Sequence, residues 1–158
     1  IFVIMASFMA FYVIFDLVPV VGPTFYYKAA GLRHIAEGVF PNLGHYFSPH
    51  TDCLATPGYT DGIFYQMVED AKAAGERPTA AFPSSHVGIS TVCMLLLWHV
   101  RSRKLLICLL PLYVFLCLAT VYIQAHYAID ALAGLATGAL FFALFMAVSR
   151  GMIERRHR

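Results

Sequence analysis

Charge is what this chain has least of. Only 13% of its 158 residues are Asp, Glu, Lys or Arg, against 59% hydrophobic and 15% aromatic, and the formal net charge is +2. Soluble domains carry roughly 25% charged residues, so the scarcity excludes an ordinary water-facing surface. With a mean hydropathy of +0.69 it points to an integral membrane protein. Cysteines suited to a disulfide framework are missing too. Cys93, Cys108 and Cys117 sit in apolar runs and only Cys53 lies in a polar stretch, which leaves no framework to infer. No charged leader and no small-residue cleavage site accompany the first apolar run, so it does not read as a signal peptide; the chain opens on Ile1 and reads as N-terminally truncated. Internal repeats and low-complexity tracts are absent. So is H-E-x-x-H, which removes the usual signature of an intramembrane metalloprotease.

What is present is four long apolar runs. A bilayer core of about 30 Å needs roughly 20 helical residues, and Ile1 to about Val21, Ser84 to Val100, Leu105 to about Gln124, and Tyr127 to Val148 approach that length. Backbone satisfaction in lipid demands helices. The expected fold is an all-α integral membrane bundle of four transmembrane helices, a single domain over 1–158 interrupted by a long loop at 22–83. Within the loop, Leu32, Ile35, Ala36 and Val39 recur at helical spacing, as do Ile63, Phe64, Met67, Val68 and Ala71 between Asp61 and Gly75. These are two short amphipathic helices, lying on the membrane surface or packed on one another as a small cap. Phe25, Tyr26 and Tyr27 suit an interfacial belt. Arg101, Arg103 and Lys104 follow the second run and Arg150, Arg155, Arg156 and Arg158 the fourth, while the long loop carries six acids, including Glu76. By the positive-inside rule the loop is extracytoplasmic, periplasmic or lumenal, and the C-terminus cytoplasmic.

Two polar clusters head apolar runs: Pro83-Ser84-Ser85-His86, and His126-Tyr127-Ala128-Ile129-Asp130. The expected topology returns both to the extracytoplasmic face. Ionisable groups at a membrane are functional by default. Asp130, at i+4 from His126, is placed to accept a hydrogen bond from one imidazole nitrogen and leave the other nucleophilic. Ser84 is a candidate N-cap at a helix N-terminus suited to an anion. Ser85 and His86 follow in the first turn, where His86 can protonate a leaving alkoxide. Arg77 offers a fork for phosphate oxygens, and Lys72 a second positive charge. Simpler readings stand beside these: serines that only cap a helix, a structural His126–Asp130 pair, and solvated loop charges at Lys72 and Arg77. Asp16 suits an interfacial or bundle-facing structural role, His99 an interfacial anchor and His157 a solvated tail. The spacing of His45, His50, Asp52 and Cys53 matches no familiar ligand pattern. Gly134 and Gly138 form a G-x-x-x-G, expected to pack helices closely within the bundle.

In order and spacing these motifs resemble the type 2 phosphatidic acid phosphatase (PAP2) superfamily, whose motifs read K-x6-R-P, P-S-G-H and S-R-x5-H-x3-D. The resemblance spans nearly the whole chain. It implies a six-helix fold of which these would be the last four. It also implies His126 as a nucleophile forming a phosphohistidine, Asp130 as its partner, His86 as acid, and Arg77 with Ser84 as phosphate binders, with no cofactor and no metal. Three positions depart: Ala119-Thr120 stands for Ser-Arg, Asp70 for the motif lysine and Ser85 for glycine. Phe82-Pro83-Ser84-Ser85-His86, His126-Tyr127-x-x-Asp130-x-x-Ala133-Gly134 and Pro19-Val20-Val21-Gly22-Pro23 are similar to the inositolphosphotransferase, or inositol phosphorylceramide synthase, branch of sphingolipid metabolism. The expectation is a metal-independent membrane phosphotransferase acting on a phospholipid headgroup. A lipid phosphate phosphatase and an inactive phospholipid-binding or transport protein are the alternatives. Phospholipid and membrane are the expected partners; nucleic acid is not.

Overall fold

The chain enters its first helix at once, because nothing before Pro19 breaks the apolar run. α1 covers Phe2–Leu17. It stops short of the expected Val21 because Val18 precedes Pro19, and a residue before proline is pushed out of the α region. A computed structural model describes residues 1–75 and 77–156; the expectations that involve Glu76, His157 and Arg158 lie outside the described residues. After α1 come α2 (Pro23–Ala30), α3 (Leu32–Ala36), a 3-10 turn (Gly44–Phe47) and α4 (Ile63–Gly75). Then follow α5 (Ser85–His99), α6 (Arg103–Tyr122) and α7 (Ala128–Arg156). The described residues are helical throughout apart from connections and one isolated parallel bridge, Val20 to Ala80. α6 and α7 are long and apolar enough to cross a membrane; α1 and α5, at 16 and 15 residues, are shorter apolar helices.

α5 is the centre of the bundle, packed on α7, α6 and α1, and α1 also packs on α7. The α5–α7 seam is made of backbone. A Cβ on Gly134 would stand 2.4 Å from the Ser84 carbonyl oxygen, and one on Gly138 would stand 2.4 Å from that of Gly88. The G-x-x-x-G therefore acts inside the bundle, as expected. Across the seam, Phe11 of α1 fills the space over Gly88, where a Cβ would stand 2.1 Å from its ring. Phe11 also meets Phe141 edge-on at 5.1 Å.

Polarity runs inside out. Ser7, Ser84, Thr91, Thr120, His126 and Asp130 are buried, whereas Ile107, Leu112, Phe115 and Leu118 of α6 are exposed. Buried polar groups inside a coat of large apolar side chains suit hydrocarbon better than water as a surround. Asp16 is exposed at the end of α1 and does not face the bundle.

Replacing Gly138 with Val should cost about 1–3 kcal/mol, because neither facing backbone can yield. Gly151→Ala, with nothing near its Cβ, should be neutral or stabilising by up to about 1 kcal/mol. Denaturation in detergent micelles distinguishes the two, and equal stability of both variants would refute a backbone seam.

Candidate active site

Three connections converge where α5 and α7 begin. The Val20–Gly22 stretch after α1 pairs with the segment before α5: the Gly22 N–H donates to the Pro78 carbonyl at 3.0 Å and the Ala81 N–H to Val20 at 3.1 Å. The Thr24 N–H donates to the Gln124 carbonyl at 3.3 Å, which ties the same stretch to the α6–α7 turn. α6 ends there through Gln124 in the left-handed region, φ 60°, a helix stop more often given to glycine or asparagine. The Thr120 carbonyl then takes the His126 N–H at 3.1 Å.

This stitching aims the Ala81 carbonyl at His126. Its oxygen lies 2.8 Å from His126 Nδ1. A carbonyl can only accept, so Nδ1 carries the proton and Nε2 the lone pair. Nε2 has no hydrogen-bond partner among the described residues. The His126 side chain is buried, and burial pulls its pKa down from 6.5 to about 4; the Ala81 hydrogen bond opposes this and the neighbouring His86 adds to it. At neutral pH the ring is uncharged. Its centroid lies 5.8 Å from that of His86.

The expected His126–Asp130 hydrogen bond is not made. The i, i+4 rule holds within a helix, and His126 precedes α7, which starts at Ala128. Asp130 Oδ2 instead accepts from the Tyr127 N–H at 2.8 Å, the acidic half of a capping box. Its backbone carbonyl accepts from the Ser84 N–H at 3.0 Å. Asp130, 1% exposed, thus locks the head of α7 to the head of α5.

Ser84 is the N-cap of α5 as expected, accepting from the Val87 N–H at 3.5 Å. The Ser85 and His86 N–H groups make no hydrogen bond among the described residues, so the helix start presents two free donors. Arg77, Ser85, His86 and His126 line one cleft of about 290 Å³, with Tyr12, Phe15 and Phe25 forming its apolar side. Arg77 is exposed.

Lys72 is placed differently from the expectation. Its ammonium donates to the Leu54 carbonyl and to Glu69, each at 3.2 Å. Glu69 in turn accepts from the Thr56 hydroxyl and N–H, and chiefly that hydroxyl holds its carboxyl below the usual range. Lys72 lies on an adjoining groove and not on the cleft. Thr120, at the family's arginine position, turns its hydroxyl back to the Cys117 carbonyl at 3.0 Å. His50 stacks on Tyr46, and among the described residues no three metal-ligating side chains cluster.

Sequence reasoning missed Ala81, whose contribution is a carbonyl that no side chain announces. It also missed Tyr12 and Phe15, at i and i+3 on α1, which aromatic content near the polar end of a span signals.

Two histidines, an arginine and a helix start thus share one cleft. The family model described as the PAP2 superfamily matches residues 1–144, and the chain belongs to that superfamily. Membership suggests phosphatase or phosphotransferase chemistry on lipid phosphates. No curated protein and no solved structure matches the chain.

Between pH 6.5 and about 4 the unfolded chain binds a proton at His126 that the folded chain refuses, so stability should fall as pH drops through that window. Nitrogen NMR of labelled His126 should show the Nδ1–H tautomer, neutral at pH 5 and titrating near 4; a midpoint near 6.5 would refute the buried, carbonyl-held ring. Asp130→Ala should lose about 1–2 kcal/mol through the Tyr127 N–H. Asp130→Asn keeps an acceptor and should recover most of that in the same melts.

Proposed function

We propose that this protein is a membrane phosphotransferase that moves a phosphorylated headgroup from a phospholipid to a lipid hydroxyl through a phosphohistidine at His126. The observation that carries this reading is the state of His126: neutral, its Nδ1–H given to Ala81, its Nε2 free in a cleft shared with His86 and Arg77. In the first step Nε2 attacks phosphorus, a P–N bond forms as the P–O bond to the leaving lipid breaks, and His86 gives that oxygen its proton. In the second the acceptor hydroxyl loses its proton to His86, its oxygen bonds to phosphorus and the P–N bond breaks. Arg77, Ser85 and the free N–H groups of Ser85 and His86 hold the phosphate oxygens. Ser84 supports them as the cap. Asp130 and the Ala81 carbonyl are positioning groups. No metal or cofactor enters this scheme.

The charge of the site favours a diester. A phosphomonoester brings about −1.5 to −2 charges at pH 7, a phosphodiester one. With Thr120 turned into its own helix and Lys72 paired with Glu69, Arg77 is the cleft's arginine, which matches the smaller charge. That supports an inositolphosphotransferase-like reaction over a lipid phosphate phosphatase. In this reading 1–158 is one domain with four spans, α1, α5, α6 and α7. The 22–83 loop and the cleft lie on the extracytoplasmic face, and the C-terminus is cytoplasmic.

Product analysis by mass spectrometry tests it. Given phosphatidylinositol with ceramide or diacylglycerol, and no divalent metal, the wild type should label the acceptor, and His126→Ala should lose at least about a thousandfold in rate while remaining folded. Free phosphate from a simple lipid phosphate alone would make it a phosphatase. Silence on every substrate would leave a headgroup-binding protein.

A further inference from the structure

His86 borders a second cavity. Besides the cleft it lines a groove of about 660 Å³, within the roughly 300–1,000 Å³ typical of small-ligand sites. Phe64, Met67, Val68 and Ala71 of α4 form one wall, at the i, i+3, i+4 and i+7 spacing of a single helix face. Ile123, at the end of α6, forms the other. His86 and Ala125 border both groove and cleft. Among the described residues α4 packs on no other helix, and Phe64 and Met67 are 79% and 60% exposed. The described residues do not fill this space. Glu69 and Lys72 tie α4 to the preceding loop through Thr56 and Leu54.

Charge separates the two cavities. The cleft has Arg77, Ser85 and His126. The groove has none of these, and its cation, Lys72, is neutralised by Glu69 at 3.2 Å. A phosphate would gain nothing there. A neutral lipid alcohol would bury its hydrocarbon against α4 and bring its hydroxyl to the imidazole that lines the groove.

We propose that the groove between α4 and the end of α6 is the acceptor site, seating the hydrocarbon chain of a neutral lipid alcohol so that its hydroxyl reaches His86, which lines both the groove and the cleft. This rests on the phosphotransferase reading. The hydroxyl proton passes to His86, the oxygen forms its bond to phosphorus, and the P–N bond to His126 returns its electron pair to Nε2. An acceptor with its own apolar groove competes with water at the phosphohistidine by local concentration, so the groove sets the balance between transfer and hydrolysis.

Ala71 is exposed, and Ala71→Trp should fill the groove without disturbing the bundle; Met67→Trp is the second variant, and a thermal melt checks both. With phosphatidylinositol as donor and long-chain ceramide as acceptor, the ratio of transferred to water-hydrolysed headgroup should fall about tenfold or more in each variant. The apparent KM for ceramide should rise. A ratio that holds because both products fall together would overturn the proposal, since the groove would then serve the donor. An unchanged ratio with both rates intact would overturn it equally. If the wild type yields no product at all, the phosphotransferase reading fails separately, and a diazirine-bearing ceramide then tests the groove by itself. Label on Met67, Val68 or Ile123 that Ala71→Trp suppresses supports the site, and label confined to Tyr12 and Phe15, or none, overturns it.

Discussion

Two helices in this molecule touch backbone to backbone, and the site hangs on that contact. Gly134 meets the Ser84 carbonyl and Gly138 meets Gly88, where a single methyl would collide. The approach lets the Ser84 N–H reach the Asp130 carbonyl at 3.0 Å, so the starts of α5 and α7 share a hydrogen bond. His86 lies in the first turn of one, and His126 just precedes the other. Their 5.8 Å separation follows from the glycines more than from any direct attraction between the rings. In a hydrocarbon surround, where apolar burial drives helices together only weakly, such close packing is a main source of adhesion.

The same economy of side chains appears at the junction after α1. Val20, Gly22 and Thr24 bond through their backbones to Ala81, Pro78 and Gln124, so one short stretch holds both the segment before α5 and the turn before α7. Arg77 and the Ala81 carbonyl are therefore placed by the end of a helix far away in sequence. Thr120 and Lys72, both turned to internal partners, leave the cleft with less positive charge than the family motifs carry.

Much of this was legible beforehand. The ends of α4 follow Asp61 and Gly75, the starts of α5 and α7 follow Ser84 and Tyr127, and the close packing at Gly134 and Gly138 follows from their spacing. α2 was not expected, although Pro23 sits at the helix start where proline is favoured; its Gly-Pro entry looked like loop. α7 runs past the expected Val148, through Gly151, because the arginines and glutamate around it are good helix formers and no proline intervenes. The two histidines were legible because their chemistry is in the side chain. The hydrogen bond of Asp130 to His126 was misread because helical spacing was applied across a helix boundary. Ala81 was beyond reach, since a carbonyl is the same on every residue.

That last point has a practical side. The group that decides which nitrogen of His126 holds the lone pair belongs to the main chain, supplied by a residue whose own side chain is a methyl. Side-chain scanning would pass over it, and drift in sequence at that position could change the methyl while keeping the acceptor. The orientation of the imidazole is inherited from the path of the backbone, and so it is protected against most single substitutions but exposed to any insertion or deletion between Arg77 and Pro83.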